Sequence, residues 1–520
     1  MTQFNVPDDQ PLLVRNEDFS GGENTRQHTS KIAPNQGETV ENWDIMVPGE
    51  IRKTTGLTLA EDLGSNPGLG LFGYEPDAGT NLLVAVHGTT LATWPGTGSF
   101  TNRKTNFTTS LATNMIKVGE AGEGDVFLVS NGTDNVFRFE PDVLGTPQDL
   151  GDINTSPPKT KVMAYFRNRV WALKGNLLYF SDAFPADYST AFDRTTNAFR
   201  VPVGTERGIV PIRDAGIAVI GADQIWALNP SFTPGASDEP QKLLDIGSVA
   251  NGTCKQVGDD IWFFAPDGVR GIFRTQQDKL QIGQSFPLSF LLKSRFDRIS
   301  WNYMYKATAV FWENKYILSL PVDSSTYNNE VWVFYPSLLV SIGNNITVPA
   351  AMVITGWNVA DWAKIKFGGE EKLYAIDSVD GSVYRTWYGD DNNGTAITST
   401  ISGREENFGA PLVYKSGGEL EIECEVAGSG NTLSVNVALD GGNFQQLGTV
   451  SLTSGTAPTL PITLPFSLAD AYVVRQKFHL DSLGRFKTLQ WQIVNSDLNV
   501  DPIIIYSVTV NTYPEEFQNE

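Results

Sequence analysis

Histidine is the side chain that most often binds zinc or takes up a proton in a catalytic triad, and this chain of 520 residues has three of them. His28, His87 and His479 lie far apart, and none has a second ligand at His-x-x-x-His spacing. That spacing matters because it places two imidazoles on one face of a helix. The histidines therefore predict neither a zinc site nor a histidine-based triad, and we interpret them as surface or strand-edge residues.

Acidic residues occur in adjacent pairs at 259–260, 370–371 and 405–406. Neighbours in a strand point to opposite faces, so adjacency alone does not set two carboxylates at the separation that glycoside hydrolysis needs. The acidic run at 390–394 lacks the ligand order and the final glutamate of a calcium-binding loop, and we interpret it as a solvated turn. The sequence predicts no cofactor, no metal and no catalytic residue, although a carboxylate pair assembled from distant strands stays open.

The two cysteines, Cys254 and Cys424, are too few and too far apart for a disulfide framework. We interpret them as reduced, partly buried thiols. The first nine residues lack the basic and apolar pattern of a leader, and no apolar run approaches the roughly 18 residues of a membrane span. We therefore expect a soluble protein that is made in a reducing cytoplasm.

The net charge is −21, from 38 basic and 59 acidic residues spread along the chain. A protein that grips duplex DNA needs a basic stripe to release counterions, and no run of this sequence supplies one. Tight DNA binding is disfavoured, whereas a surface that DNA slides past without sticking is compatible with this charge. Hydrophobic residues at 41% and aromatic residues at 11% are enough to form packed cores.

Hairpin patterns recur between residues 63 and 395, where pairs of runs rich in β-branched and aromatic residues flank Asn, Asp or Gly. Their spacing of roughly 40–60 residues is typical of propeller blades. We predict an all-β fold with a β-propeller of about six or seven blades; a jelly roll or stacked sandwiches stay open. Four tryptophans lie mid-strand among apolar residues: Trp171, Trp226, Trp262 and Trp332. This position favours a role in the core between blades over a role in a carbohydrate-binding stripe.

Two segments depart from the hairpin pattern. Between 287 and 300 the apolar residues fall at helical spacing with Pro287 first, which predicts a short amphipathic helix inserted between blades. Around 388–395 the chain becomes strongly polar, and residues 396–520 again alternate as strands do. We therefore predict three parts: an N-terminal docking segment (1–62), the propeller (63–395) and a C-terminal β-sandwich (396–520).

A pattern of structural residues near the start resembles the tail nozzle proteins of short-tailed bacteriophages, also called tail tubular protein B or packaged-DNA stabilisation proteins. That family has a Gly-Gly pair, a Pro-x-Gln-Gly turn, a Trp or Asn in a strand, and a basic pair after a glycine. The matching residues here are Gly21, Gly22, Pro34, Gln36, Gly37, Trp43, Arg52 and Lys53. Thr54 and Thr55 stand where the family usually has a proline.

The resemblance implies a virion structural protein and not an enzyme. In that family the subunits form a closed ring, here expected to be a hexamer, that ends the short tail, retains packaged DNA and opens for ejection. The implied partners are the adaptor ring of the head–tail connector, the tail fibres or spikes, and DNA that passes through the lumen without tight binding. The implied location is the virion tail, after assembly in the host cytoplasm, and the eight matching residues would dock subunits.

Two other classes of function stay open from the sequence. One is a receptor-binding or glycan-binding propeller at a tail tip, which Trp-lined pockets would favour. The other is a propeller glycosidase. Among propeller sialidases a Ser-x-Asp-x-Gly turn repeats, whereas here Ser378 begins a turn with its glycine one position early and without recurrence.

Overall fold

The computed structural model describes residues 11–108, 111–122, 124–140, 147–213, 215–231, 233–235, 238–343, 346–425, 431–452, 473–498 and 503–515. Five short strands lie within residues 11–61, and four of them pair with strands formed much later in the chain. The five are β1 (Leu12–Asn16), β2 (Thr39–Glu41), β3 (Trp43–Asp44), β4 (Ile51–Lys53) and β5 (Leu57–Glu61).

Six small antiparallel sheets and one end of a nine-stranded sheet follow these strands within the described residues, and together they are the seven blades of a β-propeller. Blade one contains β6 (Gly68–Tyr74), β7 (Leu82–His87), β8 (Thr90–Trp94) and β9 (Thr101–Lys104). Blade two contains β10 (Asn114–Glu120), β11 (Gly124–Ser130), β12 (Phe137–Phe139) and β13 (Gln148–Asp149). Blade three contains β14 (Val162–Phe166), β15 (Arg169–Lys174), β16 (Leu177–Phe180) and β17 (Ala198–Arg200).

The other four blades continue around the ring. Blade four contains β18 (Glu206–Ile212), β19 (Gly216–Gly221), β20 (Ile225–Leu228) and β21 (Gln241–Leu244). Blade five contains β22 (Lys255–Val257), β23 (Asp260–Ala265) and β24 (Gly268–Gly271). Blade six contains β25 (Thr308–Trp312), β26 (Lys315–Leu320), β27 (Glu330–Gly343) and β28 (Ile346–Thr355). Blade seven contains β29 (Val359–Phe367), β30 (Glu370–Asp377) and β31 (Val383–Thr386), and its outer strand is β5.

The ring is closed by a strand from the N-terminal segment. The first strands of successive blades contact one another in order, and β29 of blade seven returns to contact β6 of blade one. In blade seven β5 pairs antiparallel with β31, with Leu57 opposite Thr386. The all-β propeller predicted from the sequence is confirmed, with seven blades.

A half-buried aspartate ties three blades together where the ring closes. Asp361 lies on β29 of blade seven; its Oδ2 accepts the backbone N–H of Leu71 in blade one at 3.0 Å. Its Oδ1 accepts the Thr308 hydroxyl of blade six, also at 3.0 Å. Burial raises the pKa of Asp361, against the opposing charge of Lys255 and the hydrogen bonds it accepts.

Tight turns explain why these hairpins form locally. Arg167 and Asn168 connect β14 to β15 with φ of 49° and 58°, and Glu313 and Asn314 connect β25 to β26 with φ of 43° and 57°. Two successive residues with positive φ give the turn whose twist matches that of the flanking strands. Asn tolerates this conformation better than most residues, so the Asn signals used to predict hairpins have a direct structural basis.

Two helices are inserted between blades five and six: α1 (Ile272–Ile282) and α2 (Lys293–Asp297). The sequence predicted one helix over 287–300, which is too long, and missed α1. Residues 287–289 instead follow the edge of β24, where Leu288 N–H donates to the Val269 carbonyl at 2.6 Å and Ser289 Oγ accepts the Val269 N–H at 3.1 Å. Because these hydrogen bonds hold residues 288 and 289 beside β24, the helix does not start at Pro287, and the inserted helix is limited to α2.

The predicted C-terminal β-sandwich is confirmed. Its strands are β32 (Ser399–Ser402), β33 (Lys415–Glu425), β34 (Thr432–Leu439), β35 (Gln445–Ser451), β36 (Val473–His479), β37 (Leu489–Asn495) and β38 (Ile504–Pro514). One sheet has the order β3-β4-β38-β33-β36, with β1 also on β38. The other runs β2-β32-β37-β34-β35, and the two bury a shared core that includes Leu420, Val435, Trp491, Ile493 and Ile505.

The second sheet of the sandwich continues into the propeller. Strand β2 pairs in parallel with β28 of blade six and antiparallel with β32, so a nine-stranded sheet extends from blade six to β35. The N-terminal segment thus supplies the strand that joins the two parts. The predicted domain boundaries at 62 and 395 stay predictions, since strands from 12–61 belong to both parts.

Candidate functional site: the N-terminal clamp and its cleft

The N-terminal clamp, residues 16–53, begins with a glycine turn inserted against blade six. Gly22 has a φ of +65°, and a Cβ on this residue would lie 2.4 Å from the carbonyl oxygen of Ala351 on β28. The backbone of the next residue donates to that same carbonyl at 2.8 Å, and Gly21 N–H donates to the Asn35 carbonyl at 3.0 Å. Both the positive φ and the close approach require glycine at position 22.

The Pro-x-Gln-Gly turn folds back onto this glycine pair. The side-chain oxygen of buried Gln36 accepts hydrogen bonds from Asn24 Nδ2 at 2.8 Å and from the Ala33 N–H at 3.1 Å. A Cβ on Gly37 would lie 2.9 Å from the carbonyl oxygen of Ser402 in the sandwich. Pro34 is exposed. Gly37 therefore packs against the sandwich with no room for a larger side chain.

The second half of the clamp carries the remaining three matching residues. Trp43 is fully buried in the core that the propeller and sandwich share. Lys53 is 3% exposed and donates to Asn495 at 2.5 Å; burial lowers its pKa to about 8, against the attraction of Asp497 and Asp390. Arg52 is exposed and pairs with Glu50 at 3.3 Å. Of the eight residues predicted to dock subunits, six are buried within this chain, and docking stays a prediction.

A buried ion-pair network fastens the clamp to α2, and the sequence did not predict it. The carboxylate of Glu23 has no exposed surface and accepts two hydrogen bonds from Arg295, at 2.7 and 3.0 Å, and one from the Val40 N–H at 3.0 Å. Arg295 also pairs with Glu41 at 2.6 Å and lies 3.7 Å from Glu330. The partners are 272 positions apart, so no local pattern could have identified them.

Protonation in this network is governed by burial and charge together. Burial raises the pKa of Glu23, and the charge and hydrogen bonds of Arg295 oppose that rise. Burial alone would lower the pKa of Arg295, but the carboxylates of Glu23, Glu330 and Glu41 raise it overall. The guanidinium therefore stays charged, and it stabilises a carboxylate that would otherwise be isolated from water.

Asn42 is a second contact that the sequence did not single out as a site residue. It is buried with a φ of 57°, and its amide donates to Thr355 Oγ1 at 2.9 Å and to the Thr398 carbonyl at 2.7 Å. Its side-chain oxygen accepts the Thr355 N–H at 3.1 Å. One side chain thus joins blade six to the segment that leads into the sandwich.

An open cleft of about 310 Å³ lies beside the ion-pair network. Thr25, Gln27, Glu38 and Thr39 line its clamp side. Ser294, Arg295 and Arg298 line its α2 side. Hydroxyls, an amide, a carboxylate and guanidinium groups therefore face the same space, which suits hydrogen bonding to a polar ligand or partner.

The residues considered first for chemistry are placed apart. His28 and His479 are exposed, but His87 is buried, with an Nδ1 that has no hydrogen-bond partner among the described residues, and burial lowers its pKa. The surface interpretation of His87 was therefore wrong, because β7 is packed between neighbouring strands of blade one. Among the residues that the structure describes, no group of three or more His, Cys, Asp or Glu could hold a metal ion.

Both cysteines are free and buried. Burial raises the pKa of Cys254 to about 11 and that of Cys424 to about 12. The mid-strand tryptophans lie in the cores: Trp171 and Trp332 are fully buried and Trp262 is 7% exposed, while Trp226 packs partly buried. This confirms the inter-blade interpretation. Over the described part of the chain, no helix has the length and apolar character of a membrane span.

Comparison with known proteins gives structural likeness at low identity. No family model matches the chain, and no curated protein matches it. BBS1N, solved in complex with ARL6DN, is 14% identical over 65% of this chain and 99% of that one, with a TM-score of 0.38. An ancestral GH74 enzyme is 11% identical over 66% of this chain and 54% of that one (TM-score 0.38). The AfRom2 CNH domain is 11% identical over 64% of this chain and 97% of that one, with a TM-score of 0.36. The chain is thus similar in structure to these three proteins, and the comparisons assign it to no family.

Proposed function

We propose that this protein is a structural subunit of a bacteriophage virion, the tail nozzle that ends a short tail. The observation that carries the proposal is the N-terminal clamp. Six of the eight residues that match the nozzle pattern are buried, and some of them pack at the junction between propeller and sandwich, such as Gly22 against Ala351 and Gly37 against Ser402. The resemblance therefore concerns how two β-domains are held together, which is an architectural property.

The clamp supports a mechanical role because its buried contacts join the propeller to the sandwich. Strand β2, the Glu23–Arg295 pair and Asn42 each cross from the clamp to the propeller or the sandwich. In the proposed hexamer a heterologous contact repeats around one axis and closes the ring. Subunits that bend little would keep such a ring shut until contact with the host opens it.

The charge of the chain supports passage of DNA without retention. A net charge of −21 makes the surface repel phosphate on average, and no basic stripe counteracts it. In the proposed assembly, DNA held behind the ring moves through an acidic lumen on ejection. The adaptor ring above and the tail fibres or spikes around it are the proposed neighbours, and no catalytic step is part of the mechanism.

Imaging tests the ring directly. Negative-stain images of the purified full chain should show rings with a central channel, and a labelled antibody should mark the tail of virions that carry this chain. Monomers in the images, together with unlabelled tails, would contradict the proposal. Strong retention of duplex DNA by the rings at about 0.15 M salt would contradict the acidic lumen, because screening at that ionic strength leaves only close contacts.

Reversing the charge of Arg52 tests whether this exposed residue contacts a neighbouring subunit. Arg52→Glu should disperse the rings if this segment contacts a neighbouring subunit, since it reverses an exposed charge without removing a buried group. The matched control is Arg200→Glu, which changes another exposed arginine, on the outer strand of blade three. Rings that survive Arg52→Glu would remove the docking role from Arg52 and leave the nozzle proposal to the imaging.

A further inference from the structure

Three neighbouring segments of the sandwich present one outer face. The backbone of Lys415 pairs with Pro514 on one side and with Phe486 on the other. The side chains of Lys415 and Phe486 are fully buried. Because side chains alternate along extended chains, the residues on either side of these positions point outwards. Those outward residues are Tyr414, Ser416, Arg485, Lys487, Tyr513 and Glu515.

Contacts between the side chains show that they share this face. The ring of Tyr414 lies 4.8 Å from the guanidinium of Arg485 and 4.7 Å from the ammonium of Lys487. Arg485 also forms an ion pair with Glu515, whose backbone N–H donates to the Tyr414 carbonyl at 2.8 Å. Tyr414 is 41% exposed and Tyr513 47%. We name Tyr414, Arg485, Lys487 and Tyr513 the basic face.

The basic face carries the opposite charge to the chain as a whole. Glu515 pairs with Arg485, whereas Lys487 has no carboxylate at ion-pair distance among the described residues. Lys415 lies beneath the face and donates to the Lys487 carbonyl at 2.5 Å. Asp440 lies at its edge, where it accepts the Lys487 N–H at 2.7 Å. Three cations thus meet two carboxylates in a chain with 38 basic and 59 acidic residues.

The composition of the basic face suits a protein partner better than a nucleic acid. Tyr and Arg are enriched where proteins bind each other. Leu412, two residues before Tyr414, adds an apolar side chain that is 78% exposed. Glu515 lies among the cations and repels phosphate, and these few charges do not form the basic stripe that DNA binding needs. The partner that fits is therefore an acidic protein surface.

An acidic surface without basic partners lies at one end of blade seven. The charges of Asp62, Asp377 and Asp380 all act on Tyr384 and add to the rise in its pKa that burial causes. Burial raises the pKa of Asp377 to about 6, and the charge of Asp380 adds to that rise. In the described part of the chain, no Lys or Arg lies at ion-pair distance from these three carboxylates. Val379, 47% exposed, lies between two of them in the sequence.

We propose that the basic face of one copy of this chain binds the acidic end of blade seven, Asp62, Asp377 and Asp380, on the next copy. Two different surfaces of one chain that attract each other make a heterologous contact, which is the kind that closes a ring. Exposed Tyr513 and Val379 add apolar area to the two sides. This inference rests on the proposed assembly of copies and names the surfaces that carry it.

Reciprocal charge reversal tests the contact in the purified full chain, with assembly measured by sedimentation velocity. Arg485→Glu with Lys487→Glu should weaken self-association at least about 10-fold, because like charges then face each other. Asp62→Lys with Asp380→Lys should weaken it to a similar extent. The chain that carries all four changes has complementary charges again, so its self-association should return to within about threefold of the parent.

Control variants separate the contact from general effects of charge and folding. Lys174→Glu with Arg200→Glu reverses two exposed cations on blade three and should leave assembly unchanged. Tyr513→Ala should weaken assembly, whereas Tyr305→Ala, on a tyrosine that is 57% exposed on the propeller, should not. Each variant should keep the melting temperature of the parent, which shows that lost assembly is not lost folding.

The outcomes distinguish this contact from the nozzle. Rings that persist in both reversal variants would overturn the contact alone, and so would lost assembly that the combined chain does not restore. Open oligomers in place of rings, lost and restored as expected, would support the contact and reject the nozzle. Monomers of the parent chain would reject both. Binding of a duplex oligonucleotide that only the basic-face variant loses, with assembly unchanged, would make the basic face a nucleic-acid surface and overturn the proposal.

Discussion

Replacing Arg295 by methionine should open the N-terminal clamp. Methionine keeps much of the volume but removes the charge, which leaves the Glu23 carboxylate, with no exposed surface, one hydrogen bond from Val40. Breaking a buried pair from one side costs about 3–5 kcal/mol. Glu330 loses less, because Arg298 at 3.1 Å and the Trp332 indole at 2.9 Å remain.

Hydrogen exchange measured by mass spectrometry on peptides from 21–43 is the suitable assay, since a chain of this size need not unfold in one step. A loss of about 3 kcal/mol raises the population of the open clamp roughly 100-fold. Lys293→Met is the matched control on the same helix: its partner Asp297 is exposed, so the effect should stay below about 0.5 kcal/mol. Arg295→Met with exchange within threefold of the parent would refute the reasoning.

The pH dependence gives a second check on the same variant. Because burial raises the folded-state pKa of Glu23, the folded protein holds this proton more tightly than the unfolded chain does. Without Arg295 the pKa of Glu23 rises further, so the loss of clamp stability is greatest at high pH. This loss becomes smaller as the pH drops through the folded-state pKa of Glu23 toward its unfolded-state pKa. After correction for intrinsic exchange, the difference between variant and parent should shrink from pH 8 to pH 5, and a constant difference would show that lost packing dominates.

Three further predictions follow from single features. Gly22→Ala should abolish soluble, folded protein, as measured by the yield of soluble protein. Gly441→Ala, with a φ of +71° but nothing within 4 Å of its Cβ, should cost only about 1–2 kcal/mol, as measured by thermal melting. The folded-state pKa of Lys53 is lowered to about 8, so the folded state holds this proton less tightly than the unfolded chain does. The free energy of unfolding should therefore rise with pH from about 8 toward 10. Urea titrations should show this rise in the parent chain and not in Lys53→Met. Cys254 and Cys424 should resist iodoacetamide at pH 8 in the folded protein and react in urea, as counted by mass spectrometry, and modification without urea would contradict their burial.

The propeller could be predicted because the strands and turns that form each blade are close together in the sequence. Each blade is a set of neighbouring hairpins, and turns such as Arg167–Asn168 mark them in the sequence. The sandwich could be predicted for the same reason, from alternation along β33 and β34. Helix α1 was missed because it follows β24 directly, and because Leu280, one of its few apolar residues, is 88% exposed, so its apolar residues do not mark one buried face.

The clamp could be located but not explained from the sequence. The glycines at 22 and 37 indicated special backbone geometry, yet the backbone that they pack against, at Ala351 and Ser402, lies more than 300 residues away in the sequence. The same holds for Glu23, whose role appears only when α2 places Arg295 beside it.

The closure of blade seven by β5 has a consequence for biosynthesis. The ribosome makes β5 first among the strands of the propeller, but its partner β31 begins at Val383, 322 positions after β5 ends at Glu61. At about 5–20 residues per second, β5 waits about 16–64 seconds before it can pair. During that time blades one to six can form while the ring stays open, so the emerging chain presents an unpaired edge at both ends of the unfinished ring. Chaperones that cover exposed strands would act in this interval, and slow translation would lengthen it.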